Sequence, residues 1–189
     1  MQDEELRWKI LSSEYLFRDT WLTARKDKCE RSDGKIIEPY YVMEYPEWVN
    51  AVAITEDNKI LMVKQYRHAA NEISIETPGG CVDPTDATFE DGIRRELLEE
   101  TGYSFETVHS LGRISPNPST NSNWMHMFIA LGGRKIQDQN LDPNEQIEVL
   151  ELSLEELMQL VDEKRIIQAM HVSTIFYALR YLNKINYTL

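Results

Sequence analysis

Residues 80–103, GCVDPTDATFEDGIRRELLEETGY, combine a periodic apolar stripe with a cluster of glutamates. Within this stretch Phe89, Ile93 and Leu97 recur at intervals of four residues, which places them on one stripe of a helix. Gly102 follows at the position where helices often end on a glycine in the left-handed conformation. The pattern therefore predicts a helix over residues 88–101.

Three glutamates crowd one surface of this predicted helix. Glu96 lies three residues before Glu99 and four before Glu100, so the like charges repel by roughly 0.2–0.5 kcal/mol for each pair. A solvated acidic face is one interpretation of the cluster. A hard divalent cation held among the carboxylate oxygens is the other, because it would remove the repulsion.

Three neighbouring features favour the cation. Arg95 stands four residues before Glu99 and can orient that carboxylate, which leaves Glu96 and Glu100 free for metal. The apolar stripe is adjacent to Glu96, so the carboxylates lie beside the core. The Pro-Gly-Gly segment at residues 78–80 predicts a tight loop leading into the helix, whose bare backbone can lend a carbonyl ligand and approach phosphate closely.

The remainder of the chain alternates predicted strands and helices. Three short runs rich in aromatic and β-branched residues within residues 8–45 predict an antiparallel sheet. Further strands are predicted at residues 49–55, 59–66, 73–77, 107–114, 124–131 and 147–152. Helices are predicted at residues 154–163 and 167–183, the first opened by the capping-box pattern of Ser153 and Glu156. Such interleaving indicates a mixed α/β or α+β class.

Composition bounds the size of the fold and the kind of partner. The chain has 189 residues with 42% hydrophobic content, enough for one sizeable core and a small sub-domain. Its 32 acidic and 20 basic residues give a formal charge of −12, which disfavours binding to nucleic acid or anionic membranes. Cys29 and Cys81 lie far apart, which indicates neither a disulfide framework nor a zinc site.

The N-terminal sequence is acidic where a secretory signal is basic. No run approaches the roughly 20 apolar residues of a membrane span. We therefore expect a cytoplasmic protein.

The stretch from Gly80 to Tyr103 closely resembles the sequence box of the Nudix hydrolase family. That box has the form Gly, five residues, Glu, seven residues, Arg-Glu-aliphatic-any-Glu-Glu-any-Gly-aliphatic. The half that begins at Arg95, RELLEETG, matches in full, and Tyr103 stands in the final aliphatic place. In the first half, Asp86 stands where the family has glutamate. One extra residue, in the loop around residues 85–88, separates Asp86 from Arg95.

The resemblance covers most of the chain. The β-rich N-terminal extension, the segments WVNAVAIT, VKQYRH and ETPGG, and the terminal helices resemble the branch of ADP-ribose pyrophosphatases and nucleoside-diphosphate-sugar hydrolases. This implies an α/β fold, a Nudix α/β/α sandwich with a mixed sheet and a small N-terminal antiparallel β-sheet. Residues 1–45 would form the extension, serving dimerisation and base binding, and residues 46–189 the Nudix domain. A homodimer is the expected assembly.

The resemblance also implies roles for the residues of the acidic cluster. Glu96, Glu99, Glu100 and the carbonyl of Gly79 would bind Mg2+, with Mn2+ as the alternative. Arg95 would orient the carboxylates, so that Arg95 and Glu99 take part in catalysis.

A general base is expected on the loop that enters the strand predicted at residues 147–152. In the branch this loop often carries a carboxylate that activates water, and Glu145 is the first candidate. Glu148 is the competitor, because strand alternation alone does not tell which side chain enters the cleft.

Substrate contacts are expected from three places. Arg67 can clamp a phosphate through paired hydrogen bonds, although a surface arginine at a strand end is the alternative. Trp48 and Tyr45 can stack a nucleobase or simply pack at the joint between the two segments. Pro118 lies in SPNPSTNSNW, which matches a proline-bearing loop of the branch.

Other singled-out residues are expected to pack. His126 alternates with Trp124 and Phe128 on one strand, so it is predicted to be a packed histidine. The terminal helix carries an apolar stripe that predicts core or dimer packing, formed by Ile167, Met170, Ile175, Leu179 and Leu182.

The expected function is metal-dependent hydrolysis of the diphosphate linkage in a small nucleotide conjugate. ADP-ribose or a nucleoside-diphosphate sugar would give a nucleoside monophosphate and a sugar phosphate. Coenzyme A and dinucleoside polyphosphates are alternative substrates. A catalytically inactive nucleotide-sugar sensor and a structural subunit are alternatives from other classes, and the complete glutamate set argues against the sensor.

Overall fold

The computed structural model describes residues 3–185 and divides into two compact units. The N-terminal unit takes in the described residues up to Pro46 together with Ser115–Asn123. The second unit comprises Glu47–Ile114 and the described residues from Trp124 onward. The outer ends of the two predicted domains, at residues 1 and 189, lie outside the described residues.

The N-terminal unit is built on a three-stranded antiparallel sheet. After a 3-10 helix (Asp3–Leu6) come β1 (Lys9–Arg18), β2 (Thr23–Glu30) and β3 (Ile36–Glu44), with β2 in the centre. The β2–β3 turn uses Gly34, whose φ of 81° suits a residue without Cβ and whose N–H donates to the Arg31 carbonyl at 2.9 Å.

The segment Ser115–Asn123 completes this unit. The N–H of Met43 in β3 donates to the Thr120 carbonyl at 2.7 Å, and the Met43 carbonyl accepts from the N–H of Ser122 at 3.0 Å. Tyr40 also donates its hydroxyl to the Ser119 carbonyl at 2.7 Å. The unit therefore extends beyond the predicted residues 1–45, because a distant loop supplies hydrogen-bond partners along the β3 edge.

A mixed seven-stranded sheet forms the second unit. Its strands are β4 (Trp48–Thr55), β5 (Ile60–Arg67), β6 (Glu72–Glu76), β7 (Gly79–Cys81), β8 (Tyr103–Ile114), β9 (Met125–Lys135) and β10 (Glu148–Leu152). The main path is β10-β5-β4-β9-β8, with β6 beside β5 and β7 beside β4. Strands β4 and β9 run parallel, whereas the other pairs are antiparallel.

Helices cover both faces of this sheet. They are α1 (Phe89–Thr101), α2 (Leu154–Asp162) and α3 (Ala169–Tyr181). Ile93 of α1 packs in the same buried cluster as Ala51 of β4, while Ile175 of α3 shares the opposite cluster with Val52. The predicted α/β/α sandwich with a mixed sheet is thereby confirmed. Within residues 3–185, no helix has both the length and the apolarity that crossing a membrane requires.

Near α1 the structure differs from the predicted elements in two ways. Residues 78–80 do not form a loop leading directly into the helix, because Gly79–Cys81 pairs with the start of β4 as strand β7. The strand predicted to begin at residue 107 begins at Tyr103. Gly102 adopts the left-handed conformation, with φ of 77°, so the chain leaves the helix and enters β8 within one residue.

Candidate active site

Gly79 and Gly80 bring bare backbone against the carboxylates of α1. The N–H of Gly79 donates to Glu100 Oε2 at 2.8 Å. Gly79 has a φ of 148°, and a Cβ there would collide with the backbone of Val49 and Asn50. At Gly80 a Cβ would stand 2.7 Å from Glu96 Oε1, so the carboxylate of Glu96 occupies the space that a side chain would need.

Arg95 is the centre of an ion-pair cluster. Its Nε and Nη2 donate to the two carboxylate oxygens of Asp86 at 3.1 and 2.9 Å. Its Nη1 donates to Glu96 Oε1 at 3.0 Å and to Glu99 Oε2 at 2.9 Å, and Nη2 also reaches the Cys81 carbonyl at 3.0 Å. Asp86 thus holds the arginine from the far side in spite of its short side chain. Contrary to the expectation that Glu96 stays free, Arg95 contacts Glu96 as well as Glu99.

The carboxylates of Glu96 and Glu100 resist ionisation in this environment. Burial raises the pKa of Glu96 to about 7; Arg95 opposes the shift, whereas Glu99 and Glu145 add to it. Burial also raises the pKa of Glu100 well above its ordinary value, against the hydrogen bond from Gly79 and with help from Glu96, Glu145 and Glu76. The cluster therefore lacks enough positive charge for all its carboxylates.

The donor set fits a hard divalent cation. Carboxylate oxygens beside bare backbone are the ligands that Mg2+ and Mn2+ prefer, and a cation would compensate the buried negative charge. Within the described chain, no three Asp, Glu, His or Cys side chains already converge in metal-binding geometry. Arg95 engages Glu96 and Glu99, and the N–H of Gly79 engages Glu100.

Of the two candidates for the general base, the structure brings Glu145 toward the acidic cluster. The negative charge of Glu145 contributes to the raised pKa values of Glu96 and Glu100. Glu145 lies in a turn in which its N–H donates to the Asp142 carbonyl at 2.9 Å and its Oε2 accepts from the N–H of Asp142 at 3.0 Å. Glu148, by contrast, pairs with Lys64 at 2.8 Å on the surface.

Arg67 is held by a buried carboxylate. Its Nε donates to Glu76 Oε1 at 2.8 Å and its Nη2 to Glu76 Oε2 at 2.5 Å. The side chain of Arg67 is nevertheless 47% exposed, whereas that of Glu76 is 2% exposed. The paired hydrogen bonds expected with a phosphate are thus formed with Glu76, and the exposed part of the guanidinium remains accessible.

A buried polar network behind Arg67 was missed in the sequence. His171 Nε2 of α3 lies 3.2 Å from Glu76 Oε2, and His171 Nδ1 lies 2.6 Å from Thr77 Oγ1. Asn50 Nδ2 donates to Thr77 Oγ1 at 3.1 Å, and Thr174 Oγ1 donates to Asn50 Oδ1 at 2.9 Å. Burial raises the pKa of Glu76, but hydrogen bonds from Arg67 and His171 outweigh it, so the pKa lies well below its usual value. The sequence carried one signal of this network, which is the placement of Glu76 inside an apolar strand.

The residues proposed to contact the nucleobase lie in different units. Trp48 opens β4 in the second unit, where it is partly buried against the cluster of Met125, Met127 and Met170. Tyr45 and Pro118 belong to the N-terminal unit, where the Tyr45 hydroxyl lies 3.7 Å from Met43 Sδ.

The packing predictions are confirmed for most residues. His126 is buried, stacks on the ring of Phe89 at a centroid distance of 3.6 Å, and lies 2.7 Å from Glu47 Oε2 through Nε2. In the terminal stripe Met170, Ile175 and Leu179 are buried in core clusters and Leu182 packs against one, whereas Ile167 is 50% exposed.

Comparison with known proteins connects this geometry to a family. The family model described as the NUDIX domain matches residues 45–171, and that of the nucleoside diphosphate sugar hydrolase N-terminal domain matches residues 8–43. The methanol dehydrogenase activator of Bacillus methanolicus is 30% identical over 89% of this chain and 91% of its own. The ADP-ribose pyrophosphatase of Bacillus subtilis is 27% identical over 95% and 94% of the two chains.

Two further similarities extend this relationship. The GDP-mannose pyrophosphatase of Yersinia enterocolitica is 28% identical over 93% of this chain and 94% of its own. The crystal structure of an ADP compounds hydrolase superposes with a TM-score of 0.82 at 24% identity, covering 95% of this chain and 96% of the other, which supports the fold.

The sandwich fold and its acidic helix define the class of this protein, and the chain belongs to the Nudix family. Hydrolases of this family generally depend on a divalent metal ion. Within the family, the chain is a pyrophosphohydrolase related to ADP-ribose and GDP-mannose pyrophosphatases.

Proposed function

We propose that this protein hydrolyses the diphosphate linkage of ADP-ribose or a nucleoside-diphosphate sugar, releasing a nucleoside monophosphate and a sugar phosphate. One observation carries the proposal: the buried Glu100 and the largely buried Glu96 lie beside Gly79 and Gly80, with too little positive charge to compensate both carboxylates. Such a cluster is suited to a divalent cation and through it to a diphosphate.

Each residue of the site has a role in this proposal. Glu96, Glu99, Glu100 and the Gly79 carbonyl would hold Mg2+, with Mn2+ as the alternative. When bound, the ion would neutralise diphosphate charge and lower the pKa of a water molecule. Arg95 orients Glu96 and Glu99 through its Nη1.

Two side chains outside the metal-binding set would act on the reacting groups. Glu145 would accept the proton of the attacking water as general base. Arg67 would contact a phosphate with the exposed part of its guanidinium, while Glu76 fixes the direction of that guanidinium from behind.

The choice of substrate class is supported by the relatives. An ADP-ribose pyrophosphatase and a GDP-mannose pyrophosphatase both match nearly the whole chain, and residues 8–43 match a domain named for nucleoside diphosphate sugar hydrolases. Trp48 and Pro118 would contribute to holding the nucleoside. Residues 1–45 would serve dimerisation.

A second candidate function follows from the Bacillus methanolicus relative, whose name describes activation of a dehydrogenase. In that case this chain would change the rate of another enzyme. Adding the protein and its inactive variant to a methanol dehydrogenase tests this candidate, and activation that depends on Glu100 would link it to the hydrolytic site.

The proposed hydrolysis is tested by measuring phosphomonoester release from ADP-ribose, nucleoside-diphosphate sugars, coenzyme A and dinucleoside polyphosphates at varied Mg2+. Glu100→Gln removes a ligand charge but keeps the shape of the side chain. Loss of an outer-shell partner already costs about 10- to 100-fold, so we expect turnover to fall by more than about 100-fold.

Glu90→Gln is the matched control, because Glu90 lies on the same helix in a surface pair with Arg94 and should retain the wild-type rate. A normal rate for Glu100→Gln at limiting Mg2+ would overturn the metal assignment. Failure of every conjugate to react would overturn the hydrolytic function.

A further inference from the structure

The last turn of α1 is tied to the loop that follows β9. Helices end with carbonyl groups that lack partners within the helix. Here the Leu98 carbonyl accepts from the N–H of Gly102 at 2.9 Å, and the Glu99 carbonyl accepts from the N–H of Asn140 at 2.8 Å. The Glu100 carbonyl accepts from the side-chain amide of Gln139 at 2.6 Å. The loop therefore binds the backbone of two residues whose carboxylates belong to the acidic cluster.

The same amide group also closes the loop on itself. Gln139 Nε2 donates a second hydrogen bond to the Ile147 carbonyl at 3.2 Å. Ile147 is 7% exposed and immediately precedes β10, whereas residues 142–146 between the two anchoring points are exposed. One side chain thus joins the start of the loop, its buried end and the C-terminus of α1. Glu145 lies within residues 142–146, which form the exposed arc of the loop between the two anchoring points.

We propose that Gln139 is a positioning residue, which holds the Glu145 loop against the helix that carries Glu96, Glu99 and Glu100. This inference rests on the proposed role of Glu145 as general base. An amide NH2 has two donors, and Gln139 uses both: one binds the last turn of α1, 39 positions earlier, and the other binds the end of its own loop, 8 positions later. Without them the Glu100 and Ile147 carbonyls lose a partner and the arc between them gains freedom.

This position matters for catalysis because a general base must stay within hydrogen-bond reach of the water it deprotonates. Glu145 has its own turn with Asp142, but that turn fixes the arc only internally. Nearest to Glu145, anchorage to α1 comes from Gln139 and from the backbone of Asn140. The start of the loop is held separately at the helix end, where the N–H groups of Ile136 and Gln137 donate to the Gly102 carbonyl at 2.9 and 3.3 Å. Removing Gln139 should therefore displace the base relative to the acidic cluster while leaving the carboxylates of α1 held by Arg95 and Gly79.

The first test measures loop mobility without metal or substrate. In the metal-free, full-length protein, hydrogen exchange at the N–H groups of Asn140 and Glu145 should become about 10-fold faster in Gln139→Ala. Gln139→Glu has nearly the same shape but its ionised side chain cannot donate, so it should behave like the alanine variant. Gln137→Ala is the matched control. Within residues 3–185 the side chain of Gln137 forms no hydrogen bond, so hydrogen exchange at Asn140 and Glu145 should remain at the wild-type rate.

The second test separates positioning from general damage to the site. With the best conjugate as substrate, we expect kcat of Gln139→Ala to fall about 10-fold at nearly constant KM, since outer-shell changes of this kind cost 10- to 100-fold. In a Glu145→Gln background the same change should cause no further loss of kcat, because the group that Gln139 positions is already gone. Thermal unfolding of each variant verifies that the fold persists.

Three results would overturn the inference. Unchanged exchange in both Gln139 variants would mean that the amide does not fix the loop. An equal fractional loss of kcat with and without Glu145 would mean that Gln139 acts through another group. A wild-type rate for Glu145→Gln would refute both the proposed general base and the catalytic role of Gln139. The hydrogen-exchange data would then still show whether Gln139 anchors the loop, so the two failures can be told apart.

Discussion

At Gly79 and Gly80, adjacent residues of β7, an added methyl group would meet different atoms. At Gly79 it would strike the backbone of β4, and the φ of 148° is one that other residues rarely adopt. We expect Gly79→Ala to lower the free energy of unfolding by at least about 2 kcal/mol. At Gly80 the methyl would meet only the end of the Glu96 side chain, which can turn away.

Gly80→Ala should therefore keep the stability of the fold and weaken the metal site by about 10-fold. The measurement is thermal unfolding over a range of Mg2+ concentrations, because a ligand that binds only the folded state raises the transition temperature with its occupancy. Gly79→Ala serves as the comparison in which the unfolding temperature falls before any metal is added. Unaltered Mg2+ dependence in Gly80→Ala would exclude Glu96 from the metal site.

Whether a contact between two side chains could be predicted depended on how far apart the two residues lie in the sequence. Arg95, Glu96 and Glu99 lie within one helical turn or so, and helical spacing alone indicates that their side chains meet. Glu76 and His171 are 95 positions apart, and no periodicity connects them. Their meeting depends on α3 packing against the sheet beside β6, which is a tertiary event. Gln139 escaped notice for the same reason, because one of its two partners is the carbonyl of Glu100 on α1, 39 positions earlier in the chain.

At the scale of elements, the buried network behind Arg67 joins strands β4, β5 and β6 to helix α3. Each of its polar groups is satisfied by another element, so the network specifies how these four elements meet. Arg67 lies at the exposed end, and Glu76 carries the buried negative charge facing Arg67, His171 and the more distant Glu100.

Removal of the Glu76 charge should have an effect that depends on pH. Its pKa is depressed in the folded state, so on acidification the unfolded chain, with an ordinary value near 4.5, binds the proton first. The stability contributed by the carboxylate is present above pH 4.5 and is lost as pH falls toward the folded pKa. Glu76→Gln should thus cost about 2 kcal/mol at pH 7, where it leaves Arg67 without its partner, and progressively less below pH 4.5.

Urea unfolding at a series of pH values measures this difference. Glu72→Gln, an exposed change on the same strand, provides the control and should show little difference at any pH. A gap between wild type and Glu76→Gln that stays constant down to pH 3 would contradict the depressed pKa.

Helices and strands long enough to show a periodic apolar pattern or a capping motif were predicted well, whereas the short strand β7 was not. The helix predicted over residues 88–101 is α1 at Phe89–Thr101, and the capping box at Ser153 forms as predicted. Strand β7 has three residues, two of them glycine, so it offers neither alternation nor β propensity. It exists because the start of β4 supplies its backbone partners.

At the scale of the whole molecule, β1 presents an exposed apolar edge among residues 3–185. Every residue of β1 is exposed, and its large apolar side chains are 41–55% exposed, namely Ile10, Leu11, Tyr15, Leu16 and Phe17. An edge strand with this composition is a candidate for burial by a second copy. We expect light scattering of the full-length protein to give twice the mass of one chain.

Replacing Leu11 and Leu16 together by glutamate should shift this mass toward that of one chain, because charges would be buried at the contact. Ile136→Glu, at a 61% exposed position of the second unit, should leave the mass unchanged. A wild-type protein with the mass of one chain, or a double variant that remains fully associated, would contradict dimerisation through β1.

The assignment of Ser115–Asn123 to the N-terminal unit has a consequence for synthesis on the ribosome. Translation produces β1, β2 and β3 first, yet the hydrogen-bond partners of Met43 and Tyr40 are encoded about 80 codons later. The leading sheet must therefore wait while β4 to β8 emerge before its last edge contacts can form. Order of appearance and order of completion differ in this chain, although domains usually finish folding from the N-terminus onward.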